Sequence, residues 1–301
     1  MIEPAHVKGV DYLLTEAANI DMDSLVDLFN DAYSQYYVST VVTPERLIKL
    51  VDREDIYMHH SFVALYGSRP VGVVFLGVRG ERGYICGMGV RIAYQGRGVG
   101  ELLMRRVLKE AETLGLNSLQ LEVVDRNFRA IGLYTKLGFV PIRDLGIWER
   151  NQMPRRKGAG RWNPKGFTLN HVASFQALPL VMEFNEIRPC WQNEPTGLAK
   201  FCSTLSALVA RADSEKIAYA LYVDTVEGLY IVDFAATPSL DEGTRQKACE
   251  VLLEAIDKQM PRPTARAHNI PVHGYQGRVL RGRGFDIGLK QQEMVLWLKS
   301  R

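Results

Sequence analysis

The chain has 301 residues, of which 47% are hydrophobic and 24% charged, a composition that suits about two globular domains of ~150 residues and excludes a disordered chain, a coiled coil and a collagen-like fibre. The net charge of +3 is too small to indicate a nucleic-acid partner. The four cysteines lie too far apart for a zinc site or a disulfide framework, so no metal is expected. The first residues do not resemble a signal peptide, and no apolar stretch of ~20 residues occurs. We therefore expect a cytoplasmic protein without membrane association.

Regular apolar spacing defines the first predicted elements. Apolar residues at helical spacing predict a helix over 24–37 and a second one from Pro44. Runs of β-branched and aromatic residues predict strands over 61–66, 70–78 and 82–90, the first two joined as a hairpin.

A glycine-rich turn over residues 95–100 follows, and then a strongly amphipathic helix that Gly115 ends. The next elements are a buried strand over 119–124, a helix over 128–137 that stops at Gly138, and a strand from Phe139. Helices that alternate with strands predict an α/β fold.

A basic stretch separates the two halves. Residues 150–166 contain no acid and six cations, Arg150, Arg155, Arg156, Lys157, Arg161 and Lys165. We interpret residues 1–150 as one domain, 151–172 as a basic linker and 173–301 as a second domain. A charge run of this kind is most often a solvated tether, and a docking patch for an acidic partner is the alternative.

The second half repeats the first at an offset of 146 residues. The strand over 71–78 corresponds to 217–224, and Gly138-Phe139 corresponds to Gly284-Phe285. Because the match runs without gaps from about residue 69 to 139, an internal repeat is indicated. The segment before Ile217 is short, so we expect the second copy to lack part of the first helical region.

The turn at 95–100 is the strongest chemical signal. Successive backbone N–H groups at the start of a helix form a cradle for a phosphate, and glycines allow a close approach. The spacing does not match a Walker loop, and Glu101 replaces the last glycine of a dinucleotide fingerprint. A pyrophosphate ligand other than a nucleoside triphosphate or NAD is indicated.

Two motifs resemble the GNAT superfamily of N-acetyltransferases. The first is Val-Arg-Ile-Ala-Tyr-Gln-Gly-Arg-Gly-Val-Gly over 90–100, in which Ile92 replaces a common proline. The second runs from Leu121 to Phe139 and is most similar to the N-terminal-amine acetyltransferases of the ribosomal-protein alanine type. The resemblance covers about residues 10–150. It implies two tandem GNAT-like domains, each a mixed, largely antiparallel sheet flanked by helices.

The resemblance implies acetyl-CoA as the donor and assigns residues to it. The pantetheine arm would pair with the strand end, where a bulge would free a backbone N–H, that of Val90, for the thioester carbonyl. The pyrophosphate would lie on the glycine turn. The implied donor-binding residues are Met88, Gly89, Val90, Gln95, Gly96, Arg97, Gly98, Val99, Gly100, Glu101 and Asn127.

The resemblance also implies two catalytic residues. Tyr134 matches a tyrosine that protonates the departing thiolate, and Glu122 matches a glutamate that acts as general base. The alternatives are a core tyrosine and a glutamate on a solvated strand face, since related enzymes also take the base from elsewhere. Tyr33, Tyr36 and Tyr37 could line the amine site or simply belong to the core or rim.

The second copy lacks these features. At the 146-residue offset, Asp241 and Glu242 replace Gln95 and Gly96, and Leu280 replaces Tyr134. We interpret it as a degenerate domain that binds no CoA. The predicted activity is direct acetyl transfer to a primary amine of a small molecule or a peptide N-terminus, by a monomer or homodimer. A non-catalytic acyl-CoA sensor or scaffold is the alternative, and a nucleic-acid binder is a weaker one.

Overall fold

The computed structural model describes residues 2–37, 41–154 and 167–298. The chain divides into two compact units, one formed by Met1–Ile142 with Met294–Arg301 and the other by Arg143–Glu293. Among the described residues, no helix is both long and apolar enough to cross a membrane.

The first unit is a mixed sheet with helices on both faces. Its strands are β1 (Glu3–Val7), β2 (Val10–Glu16), β3 (Phe62–Tyr66), β4 (Arg69–Arg79), β5 (Arg82–Val90), β6 (Ser118–Val124) and the start of β7 (Val140–Arg150). Its helices are α1 (Met22–Tyr33), α2 (Pro44–Arg53), α3 (Val99–Thr113) and α4 (Phe128–Lys136). Strands β1 to β5 are consecutive antiparallel neighbours, and β6 runs parallel to β5. The predicted strands and helices of this region are confirmed within a few residues.

The helix ends follow from local sequence. Asp21 caps α1 by accepting a hydrogen bond from Ser24 N at 2.8 Å, and Thr43 caps α2 ahead of its first-turn Pro44. Gly115 follows α3 with a φ of +68°, the left-handed conformation that ends helices and that glycine adopts without strain. The apolar stripe of α3 is buried against the sheet, as its spacing predicted.

An N-terminal hairpin was not predicted from the sequence. Strands β1 and β2 pair from Glu3↔Leu14 to Val7↔Val10, which leaves Lys8 and Gly9 as a two-residue turn. Both have positive φ, +49° and +78°, as a type I′ turn requires. Strand β1 is short and half exposed, so its alternation of apolar and polar residues gives a weak signal.

The second unit has the same order of elements. Its strands are the rest of β7, then β8 (Thr168–Val172), β9 (Ser206–Ala212), β10 (Glu215–Thr225), β11 (Gly228–Ala236), β12 (Ala265–Pro271) and β13 (Asp286–Trp297), the last of which ends in the first unit. Its helices are α5 (Ser174–Phe184), α6 (Pro195–Ala199), α7 (Glu242–Gln259) and α8 (Tyr275–Gly282). The strand order is β7-β12-β11-β10-β9-β8, in which β11 and β12 are parallel.

The internal repeat is confirmed element by element. Strands β10 and β11 begin at residues 215 and 228, each 146 residues after the starts of β4 and β5 at 69 and 82. In both copies these two strands form a hairpin, and the second of them pairs in parallel with the strand that follows the long helix. The second unit has the five-residue α6 where the first has the ten-residue α2, in keeping with the shorter segment that the sequence indicated.

Two predicted boundaries need correction, the C-terminal end of the linker and the end of the first domain. Residues 155–166 lie outside the described residues. Thr168–Val172 form strand β8, paired with β9, so the last five residues of the predicted linker belong to a sheet. Arg150 is buried at the end of β7, with its guanidinium 2.7 Å from Asp257 Oδ1, and is therefore a core residue. The first unit ends at Ile142, earlier than the predicted boundary at residue 150.

Candidate functional site

Strands β5 and β6 separate to form a fork. They pair in parallel only from Arg82↔Ser118 to Tyr84↔Gln120, so the edge of β5 from Ile85 onward has no partner in β6. Such an edge presents backbone N–H and C=O groups to any extended ligand. Opposite β4, the register shifts between Val73↔Gly89 and Phe75↔Cys86. The bulge therefore lies at Gly87 and Met88 and overlaps the strand end over 88–90, where the resemblance implied it.

The N–H of Val90 still points into the fork. Arg91 N donates to Val71 O of β4 at 2.9 Å, and neighbouring residues of an antiparallel strand direct their N–H groups to opposite edges. The carbonyl of Val90 likewise faces away from β4, where it accepts a hydrogen bond from Gln95 Nε2 at 3.1 Å. A backbone hydrogen-bond donor, the N–H of Val90, thus lies at the open edge, as the resemblance implied.

The start of α3 closes one end of the fork. Its N-cap is Gly98, with a φ of +89° and no side chain that could occupy the first-turn N–H groups. A Cβ at Gly98 would lie 2.5 Å from Val7 Cγ1, whereas one at Gly100 would make ordinary contacts with Met88 and Val90 of the fork. The helix therefore presents an uncapped, partially positive end.

A cavity of about 370 Å³ occupies the fork. It brings together both predicted catalytic residues and every predicted donor-binding residue except Arg97, whose guanidinium instead lies 5.3 Å from the centre of the Tyr94 ring. The predicted residues that line it are Met88, Gly89, Val90, Gln95, Gly96, Gly98, Val99, Gly100, Glu101, Glu122, Asn127 and Tyr134.

Two of these lining residues are already engaged. The carboxylate of Glu101 lies 2.7 Å from Lys136 Nζ and 2.8 Å from Arg105 Nη2, and these partners lower the pKa of Glu101. Its negative charge at the helix start is thus balanced by two cations. Asn127 caps α4 by accepting a hydrogen bond from Ala130 N at 3.2 Å.

Tyr134 is a buried tyrosine that lines the cavity. It is 7% exposed on α4, and its ring centre lies 5.9 Å from that of Phe139. Its hydroxyl makes no hydrogen bond to any residue that the structure describes. Burial raises the pKa of Tyr134, so the phenol stays protonated at neutral pH.

Glu122 is held by a residue that sequence reasoning missed. The hydroxyl of Tyr84, in the last paired rung of β5, donates a hydrogen bond to Glu122 Oε2. Burial raises the pKa of Tyr84 well above its usual value, so Tyr84 remains a donor to the carboxylate. Glu122 is therefore half-buried and oriented.

Other lining residues were also missed or left undecided. Tyr33 and Tyr36 line the cavity from α1 and the turn after it, and the Tyr33 hydroxyl donates to Met88 O at 3.0 Å. Lys8 and Arg129 line it as well. Lys8 could have been found only by recognising Lys-Gly as a hairpin turn. Arg129 lies two residues after Asn127, in a motif from which only other residues were assigned to the site.

The second unit has the same fork, but its own groups fill it. Strands β11 and β12 pair only from Leu229↔Ala265 to Ile231↔Ala267. Tyr275 Oη accepts a hydrogen bond from Ala236 N, 146 residues after Val90, at 3.2 Å. Gln276 Nε2 donates to Phe234 O at 2.6 Å.

The helix start in this unit is filled too. Asp241 Oδ1 caps α7 by accepting from Thr244 N at 3.0 Å. The strand-edge N–H and the helix-start N–H groups, which are open in the first fork, are thus occupied internally in the second.

A buried carboxylate in the second unit gives stability a pH dependence. Burial raises the pKa of Asp233 to about 6, although Tyr219 and Asn185 donate hydrogen bonds to it and Arg143 is nearby. Between pH ~4 and ~6 the folded chain then holds a proton that the unfolded chain has released, so stability falls as the pH rises through this window.

Asp233→Asn should remove this contribution. Urea unfolding of wild type and variant from pH 4 to 7 should show the wild type losing about 2 kcal/mol relative to the variant. Glu215→Gln removes an exposed carboxyl from the same unit and should leave the wild-type slope in place. Parallel curves for Asp233→Asn and wild type would contradict the assignment.

Comparison with known proteins shows what the region around the first fork resembles. Residues 22–139 match the family model described as Acetyltransferase (GNAT) family. Three solved structures resemble nearly the whole chain. A GCN5-related N-acetyltransferase from Sphaerobacter thermophilus is 14% identical, with 95% of each chain covered and a TM-score of 0.68. A tandem GNAT protein from the clavulanic acid biosynthesis pathway is 14% identical over 95% of this chain and 98% of that one, with a TM-score of 0.65.

The third is a Pyrococcus horikoshii protein described as an acetyltransferase, 18% identical over 99% of this chain and 92% of that one, with a TM-score of 0.64. At these identities the likeness shows the fold alone, and the family match is to residues 22–139. Among the described residues, no cluster of three or more His, Cys, Asp or Glu side chains could hold a metal ion.

Proposed function

We propose that the GNAT-family acetyltransferase domain in the first unit, matched over residues 22–139, moves an acetyl group from acetyl-CoA directly to a primary amine. The acceptor is an amine of a small molecule or a peptide N-terminus. The observation that carries this proposal is the fork, because one cavity joins an unpaired strand edge, an uncapped helix start and a buried, protonated tyrosine.

Donor binding uses backbone groups. The pyrophosphate lies at the start of α3, where the N–H groups after Gly98 carry no internal cap. The pantetheine arm pairs with the open edge of β5, as an added strand would. The N–H of Val90 then polarises the thioester carbonyl and stabilises the oxyanion that forms during attack.

Catalysis uses two side chains. Glu122, oriented by Tyr84, takes a proton from the acceptor ammonium group. The free amine attacks the thioester carbon, and the C–S bond breaks. Tyr134 gives its proton to the leaving thiolate and is reprotonated from solvent, while the attacking nitrogen loses its second proton to solvent and Glu122 releases the proton that it took. Holding both substrates in one cavity supplies much of the acceleration, up to ~7–11 kcal/mol in favourable cases.

The second unit has a structural role in this proposal. Its filled fork supports the interpretation that it is a degenerate copy which binds no CoA. A donor entering there would have to displace Tyr275 and Gln276 from the strand edge and the Asp241 carboxylate from the helix start.

Calorimetric titration with acetyl-CoA tests both units. We expect one site per chain. Two sites would show that the second fork opens, and the absence of binding at millimolar donor would overturn the proposal. Thiol release with a panel of primary amines then tests transfer. Donor binding without release from any amine would favour the non-catalytic sensor.

A further inference from the structure

The hairpin β1–β2 places a lysine at the mouth of the cavity. Lys8 lines the cavity, and its Nζ donates to Gly96 O at 2.9 Å. The hairpin cannot slide along the glycine turn, because Val7 fills the space where a Cβ of Gly98 would lie. The packing of the hairpin therefore places the backbone of Lys8 beside the turn, within reach of Gly96.

Arg129 reaches the same glycine from another element. It lies in the first turn of α4, and its Nη1 donates to Gln95 Oε1 at 3.2 Å. A Cβ built on Gly96 would lie 3.3 Å from Arg129 Nη2. Lys8 and Arg129 thus reach Gly96 from two separate elements, and both side chains line the cavity there.

Neither cation is neutralised within the described part of the chain. Glu101, the acidic residue lining the same end of the cavity, pairs with Lys136 and Arg105. Lys8 and Arg129 form hydrogen bonds only to a carbonyl and to an amide oxygen there. Two such charges beside a cavity are a site for an anion of more than one charge.

The turn conformation of Lys8 favours a functional role. Its φ of +49° suits asparagine, aspartate or glycine in a type I′ turn, whereas a lysine with its Cβ is strained there. A strained residue whose side chain lines a cavity is more readily explained by binding than by folding.

We propose that Lys8 and Arg129 form a clamp that binds a phosphate group of the donor from both sides of Gly96. This inference rests on the proposed function. Lysine supplies a compact positive charge and arginine a planar set of N–H groups, a combination that suits phosphate oxygens. The phosphate is either part of the pyrophosphate or the 3′-phosphate of the adenosine moiety.

The test is Lys8→Asn, because this variant removes the charge and also suits the turn. The melting temperature should stay equal or rise. The dissociation constant of acetyl-CoA, measured by calorimetry, should increase about tenfold, as for a lost charge-assisted contact that is partly exposed. Arg129→Gln should weaken binding similarly, and Lys8→Arg should retain most of it.

Two further measurements distinguish binding of the 3′-phosphate from binding of the pyrophosphate. If the 3′-phosphate is clamped, Lys8→Asn should reduce the preference for acetyl-CoA over acetyl-dephospho-CoA. If the pyrophosphate is clamped, both donors should weaken equally and the salt dependence of binding should fall by about one charge. Lys109→Gln, which removes an exposed lysine of α3 outside the cavity, should change neither quantity.

The clamp and the proposed function fail in different ways. Unchanged binding by Lys8→Asn, or equal weakening with an unchanged salt dependence, would overturn the clamp alone. A wild-type protein that does not bind acetyl-CoA at millimolar concentration would overturn the proposed function.

Discussion

Tyr134→Phe should lower turnover by ~10²-fold or more while the dissociation constant of acetyl-CoA stays near the wild-type value. The substitution removes only the hydroxyl, which makes no hydrogen bond to a described residue, and keeps the ring against Phe139. Stability and donor binding therefore have no reason to change. Steady-state kinetics with a responsive amine, together with calorimetry, measure both quantities.

Tyr12→Phe is the matched control for this prediction. Tyr12 is 1% exposed in the same unit and does not line the cavity, and its buried hydroxyl likewise has no partner in the described chain. The control should turn over at the wild-type rate. If Tyr134→Phe also did so, Tyr134 would have no part in proton transfer.

Gly100→Glu should weaken acetyl-CoA binding by at least ~10²-fold, beyond the reach of an ordinary titration. Gly100 is helical, and its added Cβ would make only ordinary contacts, at 3.6 Å from the Met88 and Leu133 side chains. The carboxylate would then occupy the cavity at the helix start and repel a pyrophosphate. Gly98 is a poorer position for this test, since any side chain there would collide with Val7.

Gly132→Glu makes the same substitution on α4, where a Cβ meets nothing within 4 Å and the residue is exposed. It should bind acetyl-CoA as the wild type does. Comparable melting temperatures for the two variants would show that any difference arises at the site. Retained binding by Gly100→Glu would mean that the phosphate lies elsewhere.

Sequence predicted the first unit well where hydrophobic periodicity was strong. Strand β5 was predicted at its observed bounds, Arg82–Val90, and α3 within one residue of its end, because each buries a continuous apolar pattern. The hairpin β1–β2 was missed because its turn uses lysine where asparagine is usual. The end of the first unit was also missed, since β7 continues without a break from Ile142 into the second unit.

The candidate site was predicted as far as its motifs extend. Gly96, Glu122 and Tyr134 are far apart in sequence but line one cavity. Their roles remain predictions that the variants above test. Tyr84 and Lys8 lay outside the interpreted motif residues, and contacts such as theirs depend on how strands fold back on one another, which local patterns do not encode.

In the second unit, the sequence indicated which donor-binding residues are lost but not which side chains fill the fork in their place. The missing glycines and the acids at 241 and 242 were visible from the offset. That Tyr275 and Gln276, which align with Arg129 and Ala130, would fill the open strand edge was not visible, because the offset shows which residues correspond and not where their side chains lie.

Because the chain's own groups fill the second fork, the two units should differ in how acetyl-CoA affects their stability. A ligand that binds only the folded state adds RT ln(1 + [L]/Kd) to stability, about 2.7 kcal/mol at a hundredfold excess over Kd. Under the proposed function this gain belongs to the first unit alone, because the hydrogen bonds of Tyr275, Gln276 and Asp241 already take the donor's place in the second. When acetyl-CoA becomes scarce, the first unit would lose this contribution, while the internal hydrogen bonds of the second fork would remain in place.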